Sequence, residues 1–160
     1  MTKNRVLNLI IEKLSEDLDL LVNAAKKAHE VSTDQENLPD NKYDTLSLES
    51  SYIAQGQANR ALEIKRELDC YQNLSLKNFA QDSDIFLTAL VVLEADDQSQ
   101  RTIFLGPQSG GLKVEVQGEE IVVITPNSPL GRKILGKRVG EVVEIEVNGT
   151  KKEFEIIELS

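Results

Sequence analysis

Residues 143–156 read Val-Glu-Ile-Glu-Val-Asn-Gly-Thr-Lys-Lys-Glu-Phe-Glu-Ile. Val143, Ile145 and Val147 alternate with Glu144 and Glu146, and Phe154 and Ile156 alternate with Glu153 and Glu155. Successive side chains on a strand point to opposite faces, so this spacing predicts two strands with one buried and one acidic face. Asn148-Gly149 between them is the strongest two-residue hairpin signal, because both residues tolerate positive φ. Working back along the chain, short apolar runs at Ile85–Leu93, Thr102–Leu105, Leu112–Val116 and Ile121–Thr125 also read as strands. They are punctuated by Asp96-Asp97-Gln98, Gly106-Pro107 and Gly110-Gly111. Pro129 to Leu135 predicts a short helix, with Ser128 as cap, Pro129 at the first position and Gly136 just past the end. Residues 78–160 are therefore expected to form a compact antiparallel sheet with one small helix, an α+β domain.

The N-terminal half has a different period. Leu7, Ile11, Leu14, Leu18, Leu21, Ala25 and Ala28 are spaced alternately by four and three, the seam of a coiled coil. Residues 46–74 repeat the pattern more loosely through Ala54, Ala58, Ala61, Ile64, Leu68 and Tyr71. Between the runs, Val31 to Tyr43 holds Ser32, Thr33, Asn37, Pro39 and Asn41, which is turn chemistry. Residues 1–77 are thus expected to form an antiparallel helical hairpin. Helices of ~27 residues would make it ~40 Å long. Alanines toward the connection would let the axes approach closely; the alternative is that they reflect helix propensity alone. A two-helix rod buries little surface, so a second domain is expected to anchor its base.

Composition narrows the possible roles. The 160 residues include 40% hydrophobic ones and carry a formal charge of -9. Acids exceed bases in both halves, 13 to 10 over residues 1–77 and 14 to 8 over residues 78–160. Phosphate binding needs clustered cations, so autonomous binding to duplex DNA or to RNA is not expected. A partner that is basic or holds metal ions would suit the chain better. The single cysteine, Cys70, falls on a helical pattern and reads as a small half-buried thiol. No signal-peptide pattern or run of ~18 apolar residues is present, so a soluble cytoplasmic protein without membrane contact is expected. His29 is the only histidine, too isolated for a catalytic triad or a zinc site.

The stretch Ile124-Thr-Pro-Asn-Ser-Pro-Leu-Gly-Arg-Lys-Ile-Leu-Gly-Lys-Arg-Val-Gly-Glu-Val-Val-Glu-Ile145 resembles the C-terminal signature of the Gre family of transcription elongation, or transcript cleavage, factors. In that signature Ser-Pro, Leu-Gly-Lys and Val-Gly-acid-x-Val recur in this order. Thr102-Ile-Phe-Leu-Gly-Pro107 is similar to the strand before the family's Gly-Pro turn. The resemblance implies an FKBP-like C-terminal domain that docks on the rim of the bacterial RNA polymerase secondary channel while the coiled coil enters it. It assigns the docking contact to Asn127, Ser128, Pro129 and Leu130. The alternative is that Ser128 caps the helix and Pro129 starts it without a partner. Arg132, Lys133, Lys137 and Arg138 supply half of the domain's positive charge, either for docking or as solvated helix charges.

Between residues 30 and 50 stand Glu30, Asp34, Glu36, Asp40, Asp44 and Glu49, with Lys42 the only base. Crowded carboxylates favour a nearby cation, and Mg²⁺ takes hard oxygen ligands. In the family, a pair of tip acids helps hold the second metal of the polymerase active centre and positions water. The resemblance therefore implies a catalytic and metal-sharing role for Asp40 and Asp44, with no cofactor of the chain's own beyond the polymerase's Mg²⁺. Contact with transcript RNA would be indirect. The expected function is stimulated cleavage of backtracked transcripts, rescuing arrested elongation complexes, by an accessory factor that is not itself an enzyme.

The tip departs from the family, however. Asp40-Asn-Lys-Tyr-Asp44 and Thr45-Leu-Ser-Leu-Glu49 replace the usual Asp-x-x-Glu and Asn-Ala-Glu-Tyr. Counted back from Gly56, Asp44 matches the second acid and Asp40 is one residue out of step. Asp44 as a helix cap is the alternative. A non-cleaving channel regulator that inhibits or modulates polymerase is the second reading. Prolyl isomerisation, open to FKBP-like folds, needs an aromatic-lined pocket, yet residues 78–160 offer only Phe79, Phe86, Phe104 and Phe154.

Overall fold

In a computed structural model, the backbone is described for residues 2–35 and 41–160, and the side chains outside residues 28–54. Helix α1 runs Lys3–Gln35 and α2 runs Asn41–Gln72. Both extend into the Val31–Tyr43 stretch whose composition reads as a turn. Ser, Thr and Asn cost only about 0.5 kcal/mol each in a helix, less than a long established helix gains by propagating. Each helix is about 50 Å long at ~1.5 Å per residue. Residues 36–40 between them lie outside the described residues.

The chain divides into two compact units, Ile11–Asp69 and Met1–Ile10 with Cys70–Ser160. In the first unit, Leu14 of α1 and Ala61, Ile64 and Leu68 of α2 are buried. Their spacing is that of one helical face. Asp17 lies close enough to Arg60 to help raise the guanidinium's pKa, after the larger effect of the Glu63 hydrogen bond. Asp17 lies 18 residues before the end of α1 and Arg60 lies 19 residues after the start of α2, as antiparallel pairing requires. Ala25 and Ala58 are half-buried, while Ala28 and Ala54 lie outside the described side chains. Toward the start of α1, the buried residues are Val6 and Ile10, with Leu7 and Ile11 only half-buried. The seam expected through Leu7 and Ile11 is therefore rotated by one residue there, and it returns to the expected phase at Leu14.

The second unit is a six-stranded sheet in the order β3-β4-β2-β1-β6-β5. Its strands are β1 (Leu90–Ala95), β2 (Gln100–Leu105), β3 (Lys113–Val116), β4 (Glu119–Ile124), β5 (Val142–Val147) and β6 (Thr150–Leu159). Helix α3, Pro129–Ile134, lies between β4 and β5 in the chain. The sheet is mixed where the sequence reading expected it to be wholly antiparallel, because β2 and β4 run parallel with Thr102 opposite Ile121 and Leu105 opposite Ile124. Residues 106–112 carry the chain past the slot beside β2, and the β3–β4 hairpin then returns β4 into it. That hairpin turns on Gln117 and Gly118, both at positive φ, as are Asn148 and Gly149 between β5 and β6. These are the backbone conformations that two-residue hairpins require.

The core on one face gathers Val91, Leu93, Ile103, Leu105, Val143, Ile145, Phe154 and Ile156 beneath Leu130 and Ile134 of α3. Strand β1 begins at Leu90, five residues later than the apolar run starting at Ile85 suggests. Thr88 explains the delay. It is buried with φ 76°, a conformation that a β-branched residue rarely adopts and that cannot continue a strand. Its polar groups find partners outside the ladder: its N–H donates to the Leu105 carbonyl at 2.8 Å, and its hydroxyl accepts from the Lys77 N–H at 2.9 Å. Lys3 Nζ donates to the carbonyls of Lys77 and Thr88, the latter at 3.1 Å, and sits 4.8 Å from the centre of the Phe79 ring. Burial holds the Lys3 pKa below its ordinary value. Tyr71, fully buried, donates its hydroxyl to the Gln108 carbonyl at 2.6 Å. A Cβ at Gly106 would collide with that hydroxyl, so glycine is required there. These contacts tie the first turn of α1 and the last turn of α2 to the sheet within one unit.

Candidate functional site: the capped loop before helix α3

The loop at 125–131 is built by a small number of short hydrogen bonds. Ser128, in extended conformation, is the N-cap of α3, and its hydroxyl accepts from the Gly131 N–H at 3.0 Å. The same hydroxyl donates to the Thr125 carbonyl at 2.7 Å, and the Ser128 N–H reaches that carbonyl at 3.1 Å. One serine thereby satisfies a helix donor and closes the preceding turn, a cap of about 1 kcal/mol. Pro129 follows at the first helical position, where its missing N–H costs nothing and its fixed φ suits the helix. Gly131 is pressed against the turn so closely that a Cβ would overlap the Thr125 carbonyl. The helix ends at Leu135, whose N–H bonds Gly131 at 3.0 Å, and Gly136 follows with φ 78°.

Of the four residues that the sequence resemblance assigns to docking, Asn127 and Pro129 are exposed, Ser128 is half-buried and Leu130 is buried in the core. Leu130 holds the loop from beneath, worth ~2 kcal/mol as a buried apolar side chain. Ser128 caps the helix and closes the turn before it, which holds the loop in one conformation. Arg132, Lys133, Lys137 and Arg138 are all exposed. Arg138 Nε donates to Asp84 at 2.6 Å, and this bond holds its pKa above the usual value. Arg132, Lys133 and Lys137 make no ion pair among the described residues, so their charge faces solvent beside the loop.

Sequence reasoning found the cap and the proline but missed Gly131. Its signal was present: a glycine at the third position of a six-residue helix has no propensity reason to be there, and close backbone approach is the usual cause. Also missed was the Tyr71–Gln108 bond, whose signal was an amphipathic ring ending an aliphatic seam.

The hairpin-tip residues fall elsewhere. Asp40 lies outside the described residues, and Asp44 sits in the first turn of α2 with its side chain outside them. Among the described residues, no three or more of His, Cys, Asp and Glu gather as a metal site. Phe104 and Phe154 are buried on opposite faces of the sheet and Phe86 is exposed, so they do not line one pocket. No helix among the described residues is long and apolar enough to cross a membrane.

Comparison with known proteins finds relatives over most of the chain. The chain is 25% identical to the transcription elongation factor GreA of Pasteurella multocida over 154 residues, covering 92% of this chain and 91% of that protein. It is 27% identical to GreA of Desulfotalea psychrophila over 153 residues, covering 92% and 89%. Among solved structures, GreA factor homolog 1 (Gfh1) of Thermus thermophilus is 19% identical, with 94% of each chain covered and a TM-score of 0.39. The GreA/GreB factor from Nitrosomonas europaea is 17% identical, with 83% and 91% covered and a TM-score of 0.39. A family model described as the C-terminal region of the transcription elongation factors GreA/GreB matches residues 80–160, half the chain and all of the strands and the capped loop described above. The chain therefore belongs to the GreA/GreB family of transcription elongation factors.

Proposed function

We propose that this chain docks at the secondary channel of bacterial RNA polymerase through the loop at Asn127, Ser128 and Pro129, and stimulates cleavage of backtracked transcripts. The observation that carries the reading is membership in the GreA/GreB family over a segment that contains the loop. The loop's construction suits the task. Asn127 and Pro129 present polar and apolar surface to a partner, while the Ser128 cap and buried Leu130 keep them in place. Arg132, Lys133 and Lys137 add positive charge, which speeds encounter with an acidic surface and fixes orientation.

The chemistry would belong to the polymerase. Its magnesium ions supply stabilisation of the attacking and leaving oxygens. Asp40 and Asp44 of this chain would add carboxylate oxygens, which suit a hard cation that keeps several waters. The factor would thus complete an active centre and turn nothing over by itself, and its contact with transcript RNA would be made only inside the elongation complex.

A second reading shares the docking but not the cleavage. The tip sequence Asp40-Asn-Lys-Tyr-Asp44 favours it, because its carboxylates stand four positions apart where the acids of Asp-x-x-Glu stand three apart. Adding the purified chain to a stalled, backtracked polymerase complex with Mg²⁺ separates the two. The first reading expects faster 3′-end shortening, lost in Asp40→Ala and Asp44→Ala without loss of polymerase binding. The second expects the same binding with an unchanged rate of shortening.

A further inference from the structure

The free edge of the sheet at β5 offers an interaction surface on a different part of the C-terminal unit. Among the described residues, strand β5 pairs only with β6 and ends the sheet. The two-residue turn at Asn148-Gly149 fixes which backbone groups remain available. Val147 and Thr150 flank it as a hydrogen-bonded pair, so Val147, Ile145 and Val143 direct their N–H and C=O groups to β6. Val142, Glu144 and Glu146 direct theirs outward. An open edge is a template for another strand.

The side chains on the outer face select what can add. Glu144 and Glu146 are exposed, and Val142 is 58% exposed. Behind them on β6, Glu153 stands opposite Glu144 and Glu155 stands opposite both Val142 and Glu94 of β1. Like charges directly across a sheet are destabilising. Lys151 is the only cation on these two strands that faces this side, and it lies 3.6 Å from Glu144. A second copy of β5 would bring further glutamates against these and is disfavoured. A strand carrying Lys or Arg at alternate positions would place its cations beside the carboxylates and satisfy the open backbone groups.

We propose that the β5 edge accepts an extended protein segment with basic residues at alternate positions, by strand addition at Val142, Glu144 and Glu146. Main-chain bonds supply the attachment and the glutamate face supplies the choice of partner. This surface is separate from the α3 loop, so its occupation does not depend on the polymerase reading.

The test uses the full chain and an end-blocked octapeptide of alternating Lys and Val, with amide hydrogen exchange and fluorescence anisotropy as readouts. The peptide is expected to slow exchange at the Glu144 and Glu146 amides by about tenfold or more while leaving Val143 and Ile145 unchanged. Glu144→Lys and Glu146→Lys are each expected to weaken binding by roughly tenfold. Circular dichroism of both variants should match the parent. Equal binding by a peptide of the same composition with its four lysines in one block would overturn strand addition in favour of simple charge attraction. Absence of binding would overturn the proposal as well. So would protection of the same amides without peptide that grows with protein concentration, since the edge would then belong to a second copy.

Discussion

The capped loop at 125–131 and the buried seam of Leu14, Ala61, Ile64 and Leu68 are specified in opposite ways. In the loop, single atoms decide: the Ser128 hydroxyl makes two hydrogen bonds and the missing Cβ of Gly131 leaves room for the Thr125 carbonyl. In the seam no single atom is special, and the helices are held by repeated apolar volume on matching faces. The loop should therefore fail abruptly on a one-carbon change, whereas the seam should weaken in proportion to what is removed.

The largest effect is expected at Gly131→Ala. The added methyl meets a backbone carbonyl, which cannot rotate away as a flexible side chain can, so the loop must open or the helix must shift. A loss of about 3 kcal/mol is expected, at the upper end for overpacking, measured by urea unfolding of the full chain. Under the proposed docking, polymerase binding should fall with it. A loss under ~1 kcal/mol would show that the loop yields easily and is no rigid platform.

The seam gives the contrasting series. Ile64→Val should cost about 1 kcal/mol and Ile64→Ala about 2–4 kcal/mol, following the volume deleted. The check is whether urea midpoints fall progressively across the two substitutions. A Val variant as damaged as the Ala variant would mean that Ile64 sits in a shaped contact like that of Gly131, and the contrast would disappear.

That contrast also accounts for how much could be read from the amino acids. The hairpin at Asn148-Gly149, the alternation on β5 and β6, and the Ser128-Pro129 start of α3 were legible because each depends on neighbours in sequence. The face of α2 was legible at Ala61, Ile64, Leu68 and Tyr71 for a similar reason, since helical periodicity repeats. What could not be read depends on distant partners. The parallel placement of β4 beside β2 is a choice among slots in the sheet, and both orientations use the same alternating pattern. Thr88 looks like a strand residue, and its positive φ follows from partners at Lys3, Lys77 and Leu105. The rotation of the α1 seam to Val6 and Ile10 falls on the part of that helix that belongs to the sheet unit. At the candidate site, the motif located the loop, yet the burial of Leu130 and the need for Gly131 required its three-dimensional packing.

A smaller effect should come from the cap itself. Ser128→Ala removes both hydroxyl bonds and should cost about 1 kcal/mol, whereas Ser128→Asp keeps an acceptor for the Gly131 N–H and should recover part of that. Urea unfolding gives the stability, and affinity for polymerase core enzyme gives the docking. If presentation depends on the cap, Ser128→Ala weakens docking and Ser128→Asp partly restores it. Equal docking by both variants at wild-type strength would leave the hydroxyl a purely structural part of the helix start.

The smallest effect tests whether local specification extends to charge. Asp97, in the turn between β1 and β2, accepts from the Ser99 hydroxyl and from the Ser99 N–H at 3.0 Å, and these bonds hold its pKa below the ordinary carboxylate value. A carboxylate depressed in the folded state contributes stability that is present above its unfolded pKa and disappears as pH falls through the folded one. Asp97→Asn should therefore lower stability slightly at neutral pH and flatten the acid limb of the stability curve by the same small amount, since the group is fully exposed. Arg60 on α2 supplies the counterpart, because Glu63 and Glu67 of the same helix and Asp17 of α1 all raise its pKa. Asp17→Asn should lower the folded-state pKa of Arg60 slightly and leave the acid limb governed by Asp97 unaltered. An acid limb that responds equally to both substitutions would mean that charge is shared across the chain, and the division between single-atom and distributed control would not hold for electrostatics.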